Sequence, residues 1–126
     1  MAEIKLKIDK ARDLTTVTVV GELAPGQLSA VLGDYSRQSP TRLILVDSRE
    51  GSWISMPTDA YTRQIQSWVY QGMGRTGSKT AIIFSDPADY GMGRLLENHL
   101  SMAGSAIELE CFRDMEKAES WLFESA

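Results

Sequence analysis

The sequence contains one cysteine and one histidine, Cys111 and His99, among 126 residues. A lone cysteine excludes an intrachain disulfide and leaves a structural zinc site short of ligands. Long apolar runs are also missing: none approaches the roughly 18 residues a membrane helix needs. Residues 1–10 alternate charged and apolar side chains and lack the apolar core of a signal peptide. The expectation is a cytoplasmic chain without integral membrane association. Nor is there a basic excess. Thirteen Lys and Arg stand against 17 Asp and Glu, a formal net charge of -4, so the footprint of a nucleic-acid binder is absent. Mild acidity of this kind serves solubility.

What is present is an ordinary globular composition, 43% hydrophobic and 24% charged, in a chain long enough to bury a core. No internal repeat, low-complexity tract or linker interrupts it, which predicts one domain over residues 1–126. Ile4, Leu6 and Ile8 alternate with Lys5, Lys7 and Asp9, the period of a strand with one wet face. Its alternating charges suit an edge, where they discourage further pairing. Residues 14–21 are rich in β-branched side chains and follow a turn at residues 11–13, so the two strands form a hairpin. Pro25 opens a helix with Leu28, Val31, Leu32 and Tyr35 on one stripe, stopped at Ser39-Pro40.

Residues 43–46 form a short continuous apolar run, the pattern of a strand covered on both faces. A polar loop over residues 47–56 is expected after it. Pro57 begins a second helix with Tyr61, Ile65, Trp68 and Val69 on its apolar stripe. Gly72, Gly74 and Gly77 connect it to a buried strand at residues 80–84. Ser85 or Asp86 caps a third helix with Met92, Leu95, Leu96, Leu100 and Ala103 inward. Ile107, Leu109 and Cys111 alternate with Glu108 and Glu110 in a last strand, and Asp114 caps a closing helix that turns Met115, Ala118, Trp121 and Leu122 inward. The order β-β-α-β-α-β-α-β-α predicts an α/β fold: a mixed, mostly parallel five-stranded sheet with four helices.

Few residue patterns here carry chemistry. The stretch from Gly72 to Thr80 invites comparison with a phosphate-binding loop, but Ser78 separates Gly77 from Lys79. It also leads from a helix into a strand, the reverse of the arrangement that points a helix N-terminus at phosphate. His99 lies among apolar positions of the third helix with no evident partner for acid-base work. Cys111 shares a strand face with Ile107 and Leu109, which marks a small buried hydrophobe rather than a reactive thiol. Asp47, Ser48, Ser85 and Asp86 fall at the carboxyl ends of strands, where catalytic groups gather. They are equally the residues that end strands and begin helices, and no base accompanies either serine.

Gly21-Glu22-Leu23 after a β-branched strand, followed by Pro25 and an amphipathic helix, resembles the opening of a STAS domain. Residues 79–86, then Tyr90-Gly91-Met92-Gly93-Arg94, then residues 112–122 resemble the SpoIIAA-like family of small bacterial proteins, which share that fold. The likeness spans nearly the whole chain in element order. In anti-anti-sigma STAS proteins the strand matching residues 43–46 leads to a helix start carrying a phosphorylatable serine in an Asp-Ser-Ser-Gly setting. This sequence lacks that setting; its nearest hydroxyls are Ser55 and Thr58. There they are possible phosphoacceptors, since a helix N-terminus stabilises added negative charge, but with the motif missing plain capping of the helix is the favoured reading.

Together these features predict a non-enzymatic STAS-like protein-interaction or regulatory module without a cofactor. Its expected working surface is the loop and helix carrying Ser48, Trp53, Ser55, Met56, Thr58, Tyr61 and Trp68, and it would engage a protein partner or a second copy. The alternative is a carrier of a small apolar ligand or lipid. Trp53, Met56, Tyr61, Trp68, Tyr70 and Met73 concentrate adaptable apolar groups near the second helix, where they would line a pocket or pack as core.

Overall fold

A computed structural model of the chain describes residues 2–23, 27, 41–52, 79–102 and 108–124. Its five strands are β1 (Glu3–Asp9), β2 (Leu14–Glu22), β3 (Leu43–Ser52), β4 (Lys79–Phe84) and β5 (Glu108–Phe112). They lie side by side in chain order, with β1 and β5 at the edges. β1 runs antiparallel to β2, and every later neighbour pair is parallel. The mixed sheet therefore has the single antiparallel pair that the leading hairpin requires.

The hairpin turn owes its shape to Asp13, which adopts a left-handed conformation with φ 53°, a region Asp tolerates better than most residues. Asp13 N–H donates to the Lys10 carbonyl at 3.3 Å. Arg12 Nε donates to Asp9 Oδ2 at 2.8 Å across the same turn.

Two helices stand among the described residues: α1 (Pro87–Met102) and α2 (Met115–Leu122). The sequence predicts four. Of the helix expected after Pro25 only Gln27 is described, and the helix expected after Pro57 lies outside the described residues, which leaves a five-stranded mixed sheet with these two helices. Asp86 caps α1, its Oδ1 accepting from the Ala88 N–H at 2.7 Å, and Pro87 follows at the first helical position, where a missing N–H costs nothing. Asp114 caps α2 in the same way, through the Glu116 N–H at 2.9 Å. Neither helix is long and apolar enough to cross a membrane.

Alternation along the strands sends neighbours to opposite faces. On one face Leu14, Leu43, Leu45, Ala81 and Ile83 pack against Ala118 and Leu122 of α2, with Phe112, Met115 and Trp121 closing the margin. On the other face lie Val17, Val19, Ile44, Val46, Ile82, Phe84 and Cys111, all buried. There α1 comes close: a Cβ on Gly93 would stand 2.7 Å from Phe84 Cε2 and 2.8 Å from Cys111 Sγ. Only the missing side chain lets the helix backbone seat on the sheet.

Leu95 corrects the expectation for this helix. It is 56% exposed rather than inward, because Gly93 marks the turn that faces the sheet and Leu95 lies two residues, about 200°, around the axis from it. At the start of β4, Lys79 reaches over α2, its Nζ 4.9 Å from the Trp121 ring centroid and 3.2 Å from the Trp121 carbonyl.

Candidate functional site

The stretch expected as a polar loop from residue 47 is strand as far as Ser52. β2 holds it there: Thr18 pairs with Asp47, then Val20 with Glu50, Gly21 with Gly51 and Glu22 with Ser52. Two residues of β2 are thus matched by three of β3, a bulge opposite Val19. Gly51 allows the pair to remain close, since a Cβ there would meet Val19 Cγ1 at 2.9 Å and the Val19 carbonyl at 3.0 Å. On its other side β3 loses its partner after Ser48, the last residue paired with β4. The tongue of β3 beyond that point borders a cleft of about 390 Å³ whose described lining is Thr18, Asp47, Arg49 and Glu50.

The four described lining residues all carry polar or charged side chains. Asp47 grips the Arg49 guanidinium with both oxygens: Nε donates to Oδ1 at 2.9 Å and Nη2 to Oδ2 at 2.8 Å. The Arg49 N–H donates to Oδ1 as well, at 3.2 Å. Asp47 is largely covered, its side chain 15% exposed, whereas Arg49 is 46% exposed. Hydrogen bonding from Arg49 holds the Asp47 carboxyl below its ordinary range, against the opposing effect of burial. The guanidinium is held further into its charged form by the same bonds. A bidentate pair of this geometry fixes the direction of an arginine. It leaves part of the fork for an incoming acceptor, with the Glu50 carboxylate beside it.

Four strand-end groups had the chemistry of a possible active site, and each is engaged in the structure. Asp47 holds Arg49. Ser48 is buried in β3 on the face opposite Asp47, with 1% exposure, so it is part of the core rather than of a surface loop. The Ser85 hydroxyl donates to the Arg49 carbonyl at 2.7 Å, tying β4's end to the β3 tongue. Asp86 caps α1. Cys111 is buried, and its thiol is pushed well above its ordinary value, first by burial and then by the Glu97 charge. Among the described residues no group of His, Cys, Asp and Glu is placed to hold a metal ion.

Of the residues singled out from sequence for the working surface, only Ser48 lies in the described part. Trp53, Ser55, Met56, Thr58, Tyr61 and Trp68 lie outside the described residues, as does the side chain of His99. The structure adds Thr18, Arg49 and Glu50, which the sequence reading passed over. The available signal was the Asp-x-Arg spacing at 47 and 49, which puts the two side chains together once the segment is extended.

No family model matches the chain, and no curated protein matches it. Solved structures do. The crystal structure of an anti-sigma factor antagonist from Mycobacterium paratuberculosis superposes with a TM-score of 0.65 at 14% identity, over 98% of this chain and 96% of that one. An uncharacterised DUF3478-family protein with a SpoIIAA-like fold from Shewanella loihica PV-4 gives a TM-score of 0.59 at 18% identity, covering 97% and 95%. The chain thus has the α/β SpoIIAA-like (STAS) fold that its sequence resembles.

Proposed function

We propose that this chain is a non-catalytic regulatory module that acts by contact with a protein partner, using the cleft at the carboxyl ends of β2 and β3. The observation that carries the reading is the state of the four strand-end groups. Asp47, Ser48, Ser85 and Asp86 are each engaged in the fold, whereas the exposed Arg49 is oriented by Asp47 and available to an incoming acceptor. Binding sites of open α/β sheets form outside the carboxyl ends of strands, and an oriented arginine is a frequent anchor in protein interfaces. The likeness to an anti-sigma factor antagonist favours a regulatory partner over a substrate. Trp53, Ser55, Met56 and Thr58, which follow Ser52 in the sequence, are further members of the same proposed surface, with Ser55 and Thr58 as candidate phosphoacceptors or plain helix caps. Tyr61 and Trp68 extend it along the chain.

A photo-crosslinking residue in place of Glu50, expressed in the native host, tests this. The expected result is a discrete cross-linked partner that is lost when Arg49→Glu is added, with the variant still folded by circular dichroism. An absent cross-link, or one unchanged by Arg49→Glu, would overturn the proposed surface. The carrier alternative concerns the segment around the second helix, which lies outside the described residues.

A further inference from the structure

Among the described residues the two edges of the sheet differ. At β5 the Cys111 N–H, which would otherwise be offered to a further strand, donates to Glu97 Oε2 of α1 at 3.0 Å. Arg94 holds that carboxylate in place at 3.0 Å. A buttress of this kind closes an edge. At β1, among the described residues, no comparable group covers the outer side of Glu3–Asp9. The strand is nonetheless held firmly at both ends. The Gln27 side-chain amide bonds Ala2 twice, accepting from its N–H at 3.2 Å and donating to its carbonyl. At the other end Asp9 is fixed by Arg12.

The core layer also stops short of this edge. Leu6 lies opposite Val17 and Ile4 opposite Val19 in the antiparallel register. Val17 and Val19 are fully covered, yet Leu6 is 39% and Ile8 41% exposed. One further strand, about 4.8 Å outside β1 and with apolar side chains on that face, would bury both.

The charges on the opposite face, which discourage indiscriminate pairing at this edge, also select the one strand it can take. From one end to the other they read Glu3, Lys5, Lys7, Asp9. A second copy paired antiparallel over the full strand would set Lys5 against Lys7 and Glu3 against Asp9, and like charges directly opposite are destabilising. The complement is a strand acidic at its two central positions and basic at its ends.

We infer that the β1 edge is a β-augmentation site for an extended segment of a partner protein, in which apolar residues alternate with two acidic residues that face Lys5 and Lys7. Main-chain bonds would supply the pairing, and the Leu6–Ile8 stripe and the two lysines its selectivity. The site is separate from the Arg49 cleft, so its failure leaves that reading standing.

The test uses two synthetic peptides, KVEVEVK and EVKVKVE, with alternate backbone nitrogens methylated to prevent their own assembly. Each is titrated into the isotope-labelled full chain and followed by amide NMR. The expected result is shifts confined to β1 and the adjoining rows of β2, with the acidic-centred peptide binding about tenfold tighter. The exposed double variant Lys5→Glu, Lys7→Glu, whose fold is checked in the same spectra, is expected to reverse the preference. Equal binding of both peptides, shifts centred elsewhere, or no binding at millimolar peptide would overturn the site. So would a chain that already sediments as a dimer dispersed by Leu6→Lys, since a second copy would then be the occupant.

Discussion

The carboxylate of Glu97 on α1 accepts the backbone N–H of Cys111 on β5 at 3.0 Å, and the same helix carries the guanidinium of Arg94 that orients it. This contact joins the last crossover helix to the sheet edge and places a negative charge beside two titratable neighbours. Both respond in the same direction. The Cys111 thiol is raised by burial and then by Glu97, and the Glu110 carboxyl by burial and then by Glu97.

For Cys111 the consequence is an inert thiol, because the thiolate is the reactive form. Ellman's reagent added to the native chain at pH 8 is expected to label it no faster than the chain opens, and promptly in denaturant. Rapid stoichiometric labelling of the folded chain would contradict the placement of Cys111.

Glu110 gives a pH-dependent prediction. Its folded-state pKa lies above the ordinary value of 4.5, so the folded chain binds that proton more tightly than the unfolded one. Its contribution to stability is therefore most favourable below 4.5 and declines as pH rises through the raised value. Glu110→Gln removes the charge, and denaturant midpoints should show the variant more stable than wild type at pH 7, with the difference shrinking toward pH 4.

Asp47 has the opposite sign. Its lowered pKa means that its stabilising effect is present above the ordinary 3.8 and is lost as pH falls through the lowered value. Because Arg49 is nearly half exposed, solvent screening limits the pair, and Asp47→Asn should cost less than about 1 kcal/mol at pH 7. The cost should vanish at the acid end of a pH series of unfolding curves.

Gly91 and Gly93 form an internal control, two residues apart on α1. Nothing lies within 4 Å of a Cβ built on Gly91, whereas one on Gly93 collides with Phe84 and Cys111. Gly91→Ala should stabilise by about 0.5–1 kcal/mol through helix propensity. Gly93→Ala should destabilise by about 1–3 kcal/mol through overpacking. Paired thermal melts would reveal both signs, and a stabilising Gly93→Ala would refute the close seat of α1 on the sheet.

Much of the architecture was legible locally. Ile4, Leu6 and Ile8 announced a strand, although Leu6 and Ile8 stay exposed on the face expected to be dry, and Asp86 and Asp114 announced helix starts. Ala118 and Leu122 fell on the buried stripe of α2. These signals are written within a few residues, because strand alternation and helix capping are set by short-range geometry. The site was less legible for the converse reason. Residues 47–52 have no apolar alternation and read as loop; they are strand because β2, far away in sequence, pairs with them to Glu22.

The same holds for which side chains end in the core. Ser48 looked like a surface hydroxyl, yet the continued strand turns it inward, and Leu95 looked like core although α1 seats on the sheet through Gly93. The sequence by itself determined the strand and helix periods, their caps and the mostly parallel sheet, since each follows from local spacing and chain order. Only the tertiary structure decided where β3 ends, how Asp47 orients Arg49, and that Glu97 closes one sheet edge while Leu6 and Ile8 stand exposed at the other. Those features come from contacts between segments, whose register and approach no single stretch of residues encodes.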